Sequence, residues 1–251
     1  MLGFNGGLLG VERRLTSGRL AATGLWLPNE QSVAKRVNNW PFGPTEVPNI
    51  GDAFLGGFFA GYISHTANGV ATHALIVAPR ATGASGTGYT ITTMRELKTS
   101  NTATAGTTST FDGRANTDAM IIGGIASHPA AQFCVNLSIG GYTDWYLPAR
   151  FELDIAYFNL KPGTANNNTS TGINSYSVPA RASNYTAGTP AMTAVAAFNS
   201  TGSERFELFD SWTSTESGGT NSIVFSLNSG QVLSASKISS YRVRAFRRVP
   251  V

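Results

Sequence analysis

Cys134-Val-Asn-Leu-Ser-Ile-Gly-Gly-Tyr-Thr-Asp-Trp-Tyr-Leu-Pro-Ala-Arg-Phe-Glu-Leu153, running on to Phe158-Asn159-Leu160, decides how this chain folds. Ala130, Phe133, Cys134 and Leu137 fall at i, i+3, i+4 and i+7, so one helical stripe is apolar and faces a core. Pro129 suits the first helical position, Ser127 is a candidate cap, and Gly140-Gly141 ends the run. A second helix is expected from Pro148, with Leu153, Ala156, Tyr157 and Leu160 at helical spacing and Lys161-Pro162-Gly163 as its stop. Between them Trp145 and Leu147 alternate with Asp144 and Tyr146, the pattern of a short extended segment pinned by a large apolar anchor.

Working outward, Phe58 to Ile63 and Ala74 to Pro79 are short apolar runs around a turn that contains Asn68-Gly69, a hairpin signal. Asp112 caps a helical run through Ala119-Met120-Ile121-Ile122, and a third short helix is expected from Pro190 through Phe198. Near the end, Ile223, Phe225 and Leu227 alternate with Val224, Ser226 and Asn228. Asn228-Ser229-Gly230 makes a turn, and Tyr241, Val243 and Ala245 alternate with Arg242 and Arg244. Residues 79–110 and 165–189 are long Thr/Ser/Asn/Gly-rich excursions, interrupted by a strand-like run at 89–92.

At 251 residues the chain can bury one sizeable core, and 41% hydrophobic residues suffice for it. Charged residues make up only 13%, against about 25% in ordinary soluble domains, so hydroxyl and amide groups dominate its surface. A net charge of +4 is spread over Arg13-Arg14, Lys35-Arg36 and residues 242–248, which does not suggest nucleic-acid binding. One cysteine excludes an intrachain disulfide, and Cys134 on an apolar helical face reads as a small buried hydrophobe. No run reaches the ~20 apolar residues that span a bilayer, and the first residues lack a basic, apolar leader pattern. The expectation is a protein without a signal peptide, made in the cytoplasm and with no membrane insertion.

Gly140-Gly141-Tyr142-x-Asp144-Trp145-x-Leu147-Pro148 with Glu152-Leu153 resembles the C-terminal domain family of collagen-like adhesins (the Lcl C-terminal domain), a branch of the C-type-lectin-like fold. Ser211-Trp212-Thr213-Ser214-Thr215-Glu216 and Arg242-Val243-Arg244-Ala245-Phe246-Arg247-Arg248 match that family's later blocks, in the same order. The resemblance implies an α+β fold: a C-type-lectin-like domain over 51–251, with short helices packed on antiparallel hairpins, preceded by an extended N-terminal arm over 1–50. Ala149 departs from the family's Ser or Thr cap, removing half of a capping box and about 1 kcal/mol. The glycine-rich start, with its Trp26, Glu30-Gln31 and Trp40-Pro41 segment, is similar to arms that open tailed-phage virion proteins. An arm carrying Phe4, Leu8, Leu9, Trp26 and Trp40 without periodicity needs another surface to bury them.

His65, His73 and His128 lack metal-ligand spacing, so neither metal nor cofactor is expected. Asp144, Glu152 and Glu216 could be named as a hydrolase's carboxylates. The reading preferred here is architectural, with Glu152 and Glu216 pairing Arg150, Arg242 or Arg244, and with Asp144, Trp145, Pro148, Trp212 and those arginines as scaffold. Recognition then falls to loops, which offer Asn166, Asn168, Tyr176, Arg181, Asn184, Tyr185 and Asn221 to a sugar's hydroxyls and faces. The expected function is non-catalytic host-surface recognition, of a glycan or a protein, by a phage virion protein. It would be held to other virion proteins by its arm, and presented as a homo-oligomer. The alternatives are a purely structural virion component and a cell-wall hydrolase.

Overall fold

The structure, a computed structural model, describes residues 48–85 and 94–251. Phe4, Leu8, Leu9, Trp26 and Trp40 of the expected arm, and the expected strand at 89–92, lie outside the described residues. The chain from 48 to 249 is one unit of mixed α and β structure, in which the strand ladders are antiparallel.

The first apolar runs become β1 (Ala53–Phe54), β2 (Gly57–Ile63) and β3 (His73–Val77). They lie in the sheet order β1-β2-β3-β12, where β12 is Phe246–Pro250, and β6 (Ser177–Val178) joins at β2. Thus the last strand closes beside the first hairpin. Leu75 and Val77 point to one core, and Ile76 and Ala78 to a second on the other side. A strand buried on both faces reads as a continuous apolar run, which is why Ala74 to Ala78 shows no polar alternation.

The register of β2 on β3 slips at Ala60, a bulge between Phe59 and Gly61. The displaced Ala60 carbonyl accepts from Asn159 Nδ2 at 2.8 Å. Asn159 lies on α4 (Arg150–Leu160). Gly61, at φ +134°, lets this helix approach: a Cβ there would sit 2.6 Å from Asn159 Nδ2 and 2.9 Å from Ile155. Leu153, Ala156, Tyr157 and Leu160 of α4 fill the first core together with Phe198, Phe206, Phe225 and Phe246.

Four-residue α1 (Arg80–Gly83) leads into β4 (Ala84–Ser85), and β5 (Arg95–Glu96) follows. Helix α2 (Gly113–Ile122) begins as expected, Asp112 accepting from Ala115 N at 2.8 Å. In α3 (Pro129–Val135), Pro129 takes the first position, but the cap is His128 rather than Ser127, whose hydroxyl instead donates to the Gly124 carbonyl. The helix ends at Val135, short of Gly140-Gly141. Those glycines, at φ +60° and +83°, form a tight turn closed by Ile139 and Tyr142.

No helix forms over 190–198. Thr193 N bonds the Lys161 carbonyl and Lys161 Nζ the Pro190 carbonyl, so tertiary partners replace the ladder and only one turn remains at 195–199. The later strands are β7 (Asp210–Glu216), β8 (Asn221–Ser226) and β9 (Val232–Ser236), a three-stranded sheet, then β10 (Ser240–Tyr241) and β11 (Val243–Arg244), which pair with β5 and β4. Contrary to the expected alternation, Val224 is buried beside Trp212 while Ile223 is only half-buried, because β8 also has a core on each face. No described helix is long and apolar enough to cross a membrane.

Glu152, fully buried, ties these parts together. Its Oε2 accepts from Gly113 N (3.1 Å) and Ala149 N (2.8 Å), and its Oε1 from the Tyr146 hydroxyl (2.8 Å). Ala149 N to Glu152 is the surviving half of the capping box. Gly113 permits the contact, since a Cβ there would collide with the carboxylate. Burial pushes the carboxyl up to about 7, against the donors that favour its ionised form. Because the folded value lies above the unfolded one, its contribution is complete below about pH 4.5 and is lost as pH rises through about 7. Glu152→Ala, which orphans three buried donors, is expected to cost about 3–5 kcal/mol. Glu152→Gln should be milder and should flatten this part of a denaturant-melt profile between pH 5 and 8; an unchanged slope would reject the assignment.

Candidate functional site

The three sequence blocks meet at one corner. Tyr146 and Phe246 exchange backbone hydrogen bonds (2.7 and 3.0 Å), Ser214 N donates to the Pro148 carbonyl (2.8 Å), and Trp212 N to the Arg242 carbonyl (2.9 Å). Trp145 and Trp212 are buried in the same core. Their indole N–H groups donate to the Tyr142 and Arg95 carbonyls.

Most charged residues of these blocks are paired, though not as the sequence suggests. Glu152 meets backbone amides and a phenol. Glu216 takes Lys237 Nζ at 2.7 Å and Thr104 N at 3.2 Å. Arg244 donates to the Ala78 carbonyl (2.6 Å) and to Glu204 (3.1 Å), and burial lowers it to about 10. Arg242 lies over the Phe209 ring, 3.8 Å from its centroid. Asp144 receives Arg247 through two hydrogen bonds of 2.8 and 3.0 Å, with the guanidinium stacked on Tyr142. The expected partners Arg150, Arg242 and Arg244 are displaced because Lys237 and Glu204, in unremarkable stretches, reach the buried groups first.

The loop candidates divide. Asp154, which the sequence reading passed over, is buried on α4 and gathers Arg181, the Tyr185 hydroxyl and Asn174 Nδ2. A signal for it existed: Arg181 is the one charged residue between Lys161 and Glu204, and a lone cation in a neutral excursion needs a counterion. Tyr185 is only 4% exposed, its ring against Tyr157 and Phe158, so it forms a wall and is not an open stacking platform. Arg181 lies over Phe158 at 4.4 Å. Together with Ser183, Asn184, Thr186 and Thr189, these residues line an open groove of about 270 Å³ that no carboxylate side chain lines.

Asn184 is exposed there. Of the three consecutive asparagines, Asn167 is the buried pin: it accepts from the Tyr157 hydroxyl at 2.6 Å and donates to the Pro190 carbonyl at 2.9 Å. Asn166 is exposed, and Asn168 closes a turn with Ser170 N. Neither lines the groove, nor does Asn221, which starts β8 on the neighbouring hairpin. Tyr176 stacks on Phe111 at 4.2 Å, beside β2, and belongs to a different cluster.

That cluster holds two of the histidines. His65 and His73 have ring centroids 4.6 Å apart, and Arg248 reaches His65 Nε2 (3.0 Å) and Asp112 (2.8 Å). His128 is buried between Thr104 and the Gly124 carbonyl. Among the described residues no group of three or more His, Cys, Asp or Glu is placed to hold a metal. Cys134 is buried, and burial pushes its thiol up.

Burial, then the Arg248 charge, lowers His65, and the same causes bring His73 to about 4. Folded values below the ordinary 6.5 mean that this contribution is present above pH 6.5 and lost as pH falls through about 4. His73→Gln is therefore expected to lessen acid destabilisation between pH 6.5 and 4, measured by thermal melts. An unaltered acid limb would locate the sensitivity elsewhere. No protein-family model matches this chain, and no curated protein matches it.

Proposed function

We propose that the chain is a phage virion protein displaying a C-type-lectin-like domain of the Lcl C-terminal type, which recognises a host-surface glycan without catalysis. The observation that carries this reading is the groove between α4 and the 181–189 loop. It offers an exposed amide at Asn184, hydroxyls at Ser183, Thr186 and Thr189, and the Phe158 ring, the group types that meet sugar hydroxyls and faces. The convergence of the three resemblance blocks supports the lectin-like assignment, because residues that family would share for architecture are spent on architecture here. Asp144, Glu152 and Glu216 each have structural partners, which counts against a hydrolase built on them.

In this reading residues 1–50 attach the domain to other virion proteins through Phe4, Leu8, Leu9, Trp26 and Trp40, and repeated presentation in a homo-oligomer multiplies a weak single-site affinity. A purely structural role is favoured by a different observation. Ile122 is 88% exposed at the end of α2, next to Ile121, which suits packing against another virion protein.

Binding of the full chain to a panel of bacterial cells and a bacterial glycan array separates the two. Asn184→Ala with Ser183→Ala, both exposed, is expected to weaken saturable binding by about tenfold or more without moving the melting temperature. Binding unaffected by these changes would move recognition out of the groove. No binding by the parent chain would favour the structural role.

A further inference from the structure

A sheet edge left open is a row of unpaired backbone donors and acceptors. Along the outer side of β7 these groups are taken: Trp212 N donates to the Arg242 carbonyl (2.9 Å), Ser214 N to Pro148 (2.8 Å) and Glu216 N to Thr107 (2.8 Å). β12 is met from outside by Tyr146 at Phe246. β9 differs. It ends the order β7-β8-β9, and no described strand lies on its other side.

The direction of its backbone groups follows from the register. Ser226 N donates to the Gln231 carbonyl at 2.8 Å and Lys237 N to the Thr220 carbonyl at 3.2 Å, so Leu233 and Ala235 between them face β8 as well. Val232, Ser234 and Ser236 therefore turn N–H and C=O outward. Of these groups only the Ser236 carbonyl has a hydrogen-bond partner among the described residues, Ser239 N at 2.9 Å. Thr171 and Asn101 flank the strand, at Gly230 and Ser236, and leave Leu233 and Ser234 exposed.

Natural proteins blunt such edges with a lysine, a proline or a bulge. β9 has none of these. Its pairing with β8 runs from Asn221↔Ser236 to Phe225↔Val232 without a shift, and residues 217–236 contain no charged residue and no proline. The charges that bracket this run, Glu216 and Lys237, are buried and bonded to each other at 2.7 Å, so neither guards the edge.

We infer that β9 is the pairing edge for a second copy of this chain, two β9 strands lying antiparallel about a two-fold axis and joining two three-stranded sheets into one. The strand is complementary to itself in that arrangement. An axis at Ser234 sets Ser234 against its counterpart and Val232 against Ser236, so their outward groups form about six hydrogen bonds. On the other face exposed Leu233 meets Ala235, which packs on the second core. The neutrality of 217–236 selects a second copy, because like charges never oppose one another across the axis. The inference goes beyond the glycan reading and gives the homo-oligomer named there a defined contact.

The test is sedimentation equilibrium of the full chain from roughly 1 to 500 μM, since two short edges bury less than the ~1,200 Å² of a stable interface. A reversible monomer–dimer equilibrium is expected, with a melting temperature that rises with concentration. Ser234→Lys sets like charges opposite each other at the axis, and Ser234→Pro removes an outward N–H without touching the β8 ladder. Each is expected to raise the dimer dissociation constant about tenfold or more, with Ser234→Lys melting as the dilute parent does. Ser234→Cys opposes two thiols on Cα atoms about 5.5 Å apart, within disulfide range. It should oxidise to a covalent dimer, whereas Gly218→Cys, exposed in the β7–β8 turn, should not. Cys134 is buried and does not compete.

A parent chain monomeric throughout this range, a dimer that survives Ser234→Lys and Ser234→Pro unchanged, or Ser234→Cys oxidising no faster than Gly218→Cys would overturn the inference. So would an assembly of three copies, because pairing about a two-fold closes at two. Asn184-dependent cell binding by a monomeric parent would reject the β9 contact and leave glycan recognition standing. A β9 dimer that binds neither cells nor glycans would do the reverse.

Discussion

The two hydrogen bonds exchanged by Tyr146 and Phe246 hold the rest of the domain in place. They join the segment between α3 and α4 to the last strand, which itself lies beside the first hairpin. Trp145, Tyr146 and Leu147 are all nearly inaccessible, because the segment passes between two cores and feeds side chains to both. Closing so distant a pair costs loop entropy. Apolar burial on either side of the joint offsets that cost, at roughly 1.5–3 kcal/mol for each large side chain.

A second constraint is the handling of buried charge. Few charged residues are available, yet Glu152, Asp154, Glu216, Lys237 and Arg244 are all buried. Each is given several partners, since an ion removed from water is tolerable only when paired and hydrogen-bonded. These networks connect elements far apart in sequence: Lys237 reaches Glu216 and the Thr102 carbonyl, and Arg244 bridges the Ala78 carbonyl to Glu204. Against this matching stands a groove whose lining is neutral apart from Arg181.

The parts of the site that could be read in the sequence are those with local causes. Asp112 capping α2, Pro129 opening α3 and Lys161-Pro162 ending α4 depend on a few adjacent residues. Tyr185 misled for the opposite reason. An aromatic in a polar excursion resembles a sugar platform, but Asp154, on the outward side of the expected helical stripe, takes its hydroxyl and buries it. Residues 190–198 carry helix-forming alanines, but Lys161 supplies donors and acceptors from elsewhere and leaves only a turn.

By itself the sequence determined the class of structure, mixed helices and antiparallel hairpins. It also marked Trp145 as an anchor, since periodicity and turn chemistry act over a few residues. Tertiary structure alone decided which carboxylate meets which cation and which of three adjacent asparagines is buried. Those outcomes depend on which groups are brought within about 3 Å of one another after both cores have closed, and no local pattern encodes that.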